Sequence, residues 1–176
     1  MTTANVLRDH TTAFNEHRIT RFAGTAMGLT TLVWAVLLSG SVGDPEQVSL
    51  PWHVAVHALS LLSALAVYIY CRQVAHRTIA AGLMCFVAVA FFFADVAMGF
   101  NYSPYFGIAV IVWGASSRRP FLAGAGVLAF AASNVVRFGQ SWGFDHSLSA
   151  VVVAASGMII LATALATRPG DTRKPT

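Results

Sequence analysis

Six apolar stretches, 19–38, 52–71, 78–100, 106–114, 121–136 and 146–166, divide this 176-residue chain, and Arg21 and Asp95 are the only Asp, Glu, Lys or Arg residues inside them. Most are close to the roughly 20 residues that an α-helix, rising about 1.5 Å per residue, needs to cross a hydrocarbon core of about 30 Å. Backbone N–H and C=O groups find no water in that layer, so segments of this length and composition must satisfy their hydrogen bonds internally as helices. The expected fold is therefore all-α: a polytopic integral membrane bundle of six transmembrane helices. Charged residues make up 10% of the chain, against about 25% in a soluble domain. That leaves no separate soluble module, only a polar N-terminal tail (1–18), the transmembrane domain (19–166) and a polar C-terminal tail (167–176).

The stretch 106–114 is short enough to suit a re-entrant segment, and the placement of basic residues argues that it spans. With six spans both termini share one side, and ten of the eleven Lys and Arg residues fall there: Arg8, Arg18, Arg21, Arg72, Arg77, Arg118, Arg119, Arg168, Arg173 and Lys174. Arg137 alone lies opposite. Basic residues collect on the cytoplasmic side, so both termini are expected in the cytoplasm. A single Lys against ten Arg, with abundant Ala, fits a bacterial cytoplasmic (inner) membrane. Cleavage of the first segment as a signal peptide at the small residues Ser39-Gly40-Ser41-Val42-Gly43 is the alternative, although the apolar run exceeds a usual signal core. The net charge of +4 and sequence pI near 9.6 follow from these loops. There is no basic stripe interleaved with aromatics, so nucleic acid is excluded as a partner. Cys71 and Cys85 form no CxxC pair and read as small packing residues.

The polar residues of the apolar stretches gather at the outer face. His53 and His57, four residues apart, stack on one face of the second helix. Asp95 lies about a turn from the outer end of the third, Asn134 and Arg137 finish the fifth, and Asp145 and His146 open the sixth. Ionisable side chains within a membrane are costly and usually face a bundle interior or a cavity. Three readings follow. His53 and His57, with His146 or Asp95, have the donor types of a site for zinc or another divalent metal, with an open position for hydrolysis; HxxxH lacks the intervening Glu of the HExxH motif. Asp95 and Arg137, with Asn134 beside them, suit an ion pair, or a proton relay in which Asp95 and a histidine change protonation together. The histidines also suit a wet position at the headgroup boundary.

The six-span layout, with outer-face histidines on spans two and six and Ser103 just ahead of span four, resembles the plan of the rhomboid intramembrane proteases. That resemblance implies a nucleophilic Ser103 paired with His146. The chain reads Asn101-Tyr102-Ser103-Pro104 where the family carries Gly-x-Ser-Gly, and His146 opens its span instead of lying within it, so the likeness is one of architecture. The layout is also similar to the multi-span sensory regions that precede bacterial kinase or cyclase domains, which implies signalling through a separate partner. Gly24 and Gly28, and the run Ala123-Gly124-Ala125-Gly126, allow close helix approach, within the chain or between copies. The expected function is a non-enzymatic transport, sensory or scaffold module with an outward-facing polar site. Its partners are the lipid bilayer and either further copies of the chain or a separate membrane or signalling protein. The alternative is a membrane-embedded, metal-dependent hydrolase.

Overall fold

The computed structural model describes residues 3–39, 50–74, 79–98, 103–139, 143 and 145–167. They form six α-helices: α1 (Thr3–Leu38), α2 (Leu50–Val74), α3 (Ile79–Met98), α4 (Tyr105–Ser116), α5 (Pro120–Gly139) and α6 (His146–Ala166). Residues 40–49, 75–78, 99–102, 140–142, 144 and 168–176 lie outside the described residues, as do the side chains of Trp52 and His53.

Asn15–Leu38, Ile79–Met98, Pro120–Gly139 and His146–Ala166 are each long and apolar enough to cross a membrane. Two boundaries differ from the sequence expectation. The polar N-terminal tail is helical from Thr3 and runs unbroken into the first apolar segment, because 1–18 contains neither Pro nor Gly to stop a helix extending from it. The fourth apolar segment is a helix of 12 residues, about 18 Å long and shorter than the hydrocarbon core.

The surface confirms the membrane-like character of the bundle. Large apolar side chains face outward in number, with Ile79 90%, Phe121 82% and Phe86 71% exposed, whereas a soluble protein rarely exposes contiguous apolar patches. Hydroxyls in the helices bond back to their own turns, which hides them from an apolar surround. Thr31 donates to the Met27 carbonyl, Ser60 to His57, Ser63 to Ser60 and Ser156 to Val153.

Glycine placement sets the helix pairings. α1 packs most closely on α6, and α4 on α5. Gly24 and Gly28 of α1 lie against Ala164, Leu161 and Gly157 of α6, close enough that a Cβ on Gly28 would stand 3.1 Å from the Leu161 nitrogen. Gly107 and Gly114 of α4 meet the backbone of Phe130 and Ala123 on α5, and Gly126 of α5 meets Ile111 of α4. The small-residue patterns thus act within the chain, except at Gly124, which has open space around its Cα. α1 also touches α2 and α4, and α4 also touches α3. These two helices form the centre, where Trp34, Tyr105 and Phe106 are fully enclosed.

Local signals fix the helix ends. Ser103 Oγ accepts the Tyr105 N–H at the start of α4. α4 ends in a glycine-type cap in which the Arg119 N–H reaches the Gly114 carbonyl at 2.8 Å and the Arg118 N–H the Ala115 carbonyl at 3.1 Å. The residue in the left-handed conformation of that cap is Arg118, with φ 54°. A side chain there costs about 1–2 kcal/mol relative to the ordinary right-handed conformation. Pro120 then opens α5 at the position where a helix tolerates it best. Asp145, extended at φ −65° and ψ 148°, precedes α6.

Candidate functional site

The alternation of helix direction brings the end of α1, the first turns of α2 and the ends of α3 and α5 to one end of the bundle. Each contributes one polar or aromatic side chain: Trp34 from α1, His57 from α2, Asp95 from α3 and Arg137 from α5. His57 and Asp95 are 1% and 0% exposed, and Trp34 is fully buried. Helical spacing explains why His57 points inward, since Ser60, Ala64, Val67 and Cys71 continue the same buried stripe of α2. On α3, Asp95 continues the stripe of Ala81, Met84 and Ala88. Each polar residue therefore occupies a core position of its helix.

Asp95 is the centre of the group. Its Oδ1 lies 3.3 Å from Arg137 Nη2, and its Oδ2 lies 3.9 Å from His57 Nδ1. The first contact is a charge-assisted hydrogen bond between groups of opposite sign. The second exceeds direct hydrogen-bond range, yet charge on the imidazole would act strongly on the carboxylate at that distance. The Trp34 ring stands edge-on to His57, with centroids 5.1 Å apart and planes at 65°. Phe106 meets Trp34 at 6.3 Å, and Tyr105 meets Phe106 at 5.2 Å, giving the polar group an aromatic wall.

A carboxylate this deeply enclosed must be compensated, because an isolated buried charge is unfavourable by several kcal/mol. Arg137 supplies that compensation and is itself 14% exposed, so the guanidinium faces partly outward. With a neutral imidazole the group carries no net charge. A proton added to His57 makes it a buried cation 3.9 Å from a carboxylate that Arg137 already holds. Such a site offers a proton two acceptors, the His57 imidazole and Asp95 Oδ2.

The remaining candidates fall elsewhere. Asn134 spends its amide on its own helix, donating to the Phe130 carbonyl at 2.8 Å. His146 is half-buried at the first position of α6. Next to it, the exposed Asp145 has its carboxyl held below the usual carboxylate range, chiefly by the hydrogen bond it accepts from Ser147 and further by the neighbouring backbone N–H groups and His146. Ser103 is buried, with its oxygen engaged at the α4 start. Among the described residues no three His, Cys, Asp or Glu side chains assemble as metal ligands. His57, expected to suit a wet headgroup position, is instead enclosed. Trp34, Tyr105 and Phe106 had no signal in the sequence beyond aromaticity.

Fold and site together define a membrane-type helical bundle with an enclosed His57 and Asp95 and a partly exposed Arg137 at one end. No protein-family model matches the chain, and no curated protein or solved structure matches it.

Proposed function

We propose that the protein is a multi-pass protein of the bacterial cytoplasmic membrane, with six crossing segments and both termini inside, that acts as a non-enzymatic, proton-responsive transport or sensory module. The single observation that carries this reading is Asp95, fully enclosed yet placed between a permanent cation and a histidine. Histidine is the side chain whose ordinary titration falls nearest physiological pH, and ionisable groups inside a membrane bundle commonly mark ion or proton pathways. α4, although short, is packed against α1, α3 and α5. This supports counting it as a crossing segment, with the α4–α5 turn on the cytoplasmic side together with the start of α1. The hydrolase alternative draws on His53, His57, His146 and Asp95 with zinc or a similar divalent ion. Arg137 places a positive charge on Asp95 where that ion would need a negative one, which favours the proton reading.

Trp34 supplies the test. A protonated imidazole against an indole ring quenches its emission, so titrating the purified protein in lipid nanodiscs is expected to dim tryptophan fluorescence as His57 protonates. Replacing His57 by Gln, or Trp34 by Phe, is expected to remove that transition. A wild-type titration with no component that depends on His57 overturns the reading.

A further inference from the structure

The opposite end of the bundle carries a second polar assembly, built where the start of the apolar part of α1 meets the α4–α5 turn. Thr20 Oγ1 donates to the Glu16 carbonyl at 2.8 Å and approaches Ser117 Oγ at 3.4 Å, tying the two segments together. His17, one turn before Thr20, is 7% exposed, and its Nδ1 has no hydrogen-bond partner. Arg21 lies one helical turn after His17, and Arg119 lies two residues beyond the Ser117 that Thr20 approaches, so basic side chains from two chain segments are brought to this end. Glu16, adjacent in sequence, and Arg119 itself each already interact with other groups.

The turn itself is unusual in the same direction. Its left-handed position, where glycine is the ordinary choice, is held by Arg118, and that side chain is exposed beside half-buried Arg119. Arginine is therefore present at a backbone position that disfavours it. A function for the guanidinium explains its presence where the fold alone would call for glycine. Arginine forks and an imidazole N–H match phosphate oxygens, and basic pockets between helices on the cytoplasmic side of membrane proteins bind anionic headgroups. We propose that His17, Arg21, Arg118 and Arg119 together bind the phosphate of an anionic phospholipid headgroup in the cytoplasmic leaflet, an inference that rests on the topology proposed above.

The experiment compares apparent thermal unfolding of the protein in phosphatidylcholine nanodiscs, in the same nanodiscs containing phosphatidylglycerol, and in phosphatidylcholine with inorganic phosphate added. Phosphatidylglycerol is expected to raise the midpoint of the wild type, and Arg21→Gln/Arg119→Gln is expected to abolish the rise. Arg118→Gly guards against simple misfolding, because glycine suits the turn. It is expected to keep or raise the midpoint in phosphatidylcholine while weakening the apparent affinity for phosphatidylglycerol about fivefold, as expected for one arginine near an anionic surface. An equal rise in wild type and both variants shows a nonspecific surface effect and overturns the proposal. So does no rise at all, or a rise with inorganic phosphate that phosphatidylglycerol fails to reproduce.

Discussion

Replacing Arg137 by Gln is expected to destabilise the protein by about 3–5 kcal/mol, the usual cost of removing one partner of a buried ion pair. The guanidinium is held at 3.3 Å by an oxygen of a carboxylate with no exposure of its own. Once it is gone, Asp95 must keep an uncompensated charge in an aromatic-walled interior or take up a proton. Asp95→Asn tests the other partner: Arg137, 14% exposed, can turn outward, so its loss is expected to be the milder of the two. The double change Asp95→Asn/Arg137→Gln is expected to recover most of the stability, because a neutral amide pair leaves no buried charge. Reversible unfolding in mild detergent measures all three. An Arg137→Gln variant within about 0.5 kcal/mol of wild type, the scale of an exposed pair, would show that Asp95 is not buried with Arg137 as its counter-charge.

The same cycle bears on function. The neutral double variant leaves His57 and its ring contact in place, so a pH response of Trp34 is expected to persist, displaced by the loss of the Asp95 and Arg137 charges.

Helix class was legible because apolar length is a local property: 146–166 from hydropathy coincides with α6, and 121–136 falls within α5. The approach of Asp95 and Arg137 was also accessible, since both are rare charges placed at one depth by helix alternation. The wall of Trp34, Tyr105 and Phe106 was not, because which aromatic faces the interior depends on the rotation of each helix about its axis. His17 and Arg118 were hidden for different reasons. The first stands in a polar stretch that gave no sign of a continuous helix, and the second owes its interest to a positive φ, which a sequence rich in arginine at loop positions does not announce. The length of α4 was foreshadowed by its short apolar run, while its central position came from close contacts at Gly107 and Gly114.

Those contacts set up the second large effect, a contrast between neighbours on α5. Gly126→Ala places a Cβ 2.5 Å from the Ile111 nitrogen and 2.9 Å from the Gly107 carbonyl oxygen. Both are backbone atoms that cannot rotate aside, so the helices must separate. Gly107→Ala overlaps the Phe130 backbone in the same way. Each is expected to cost about 1–3 kcal/mol or more, the range for overpacking a close-packed interior, with the larger values here because rigid backbone stands on both sides. Gly124→Ala, two residues away and facing open space, is expected to be neutral or to stabilise by up to about 1 kcal/mol through helix propensity. The pair of alanine variants thus differs in sign although the substitution and the helix are identical. Equal effects at Gly124 and Gly126, measured by thermal unfolding in the same detergent, would mean that α4 and α5 do not cross at Gly126. In that event α4 would lose the contact that holds it in the bundle centre, and with it the support for counting so short a helix as a crossing segment.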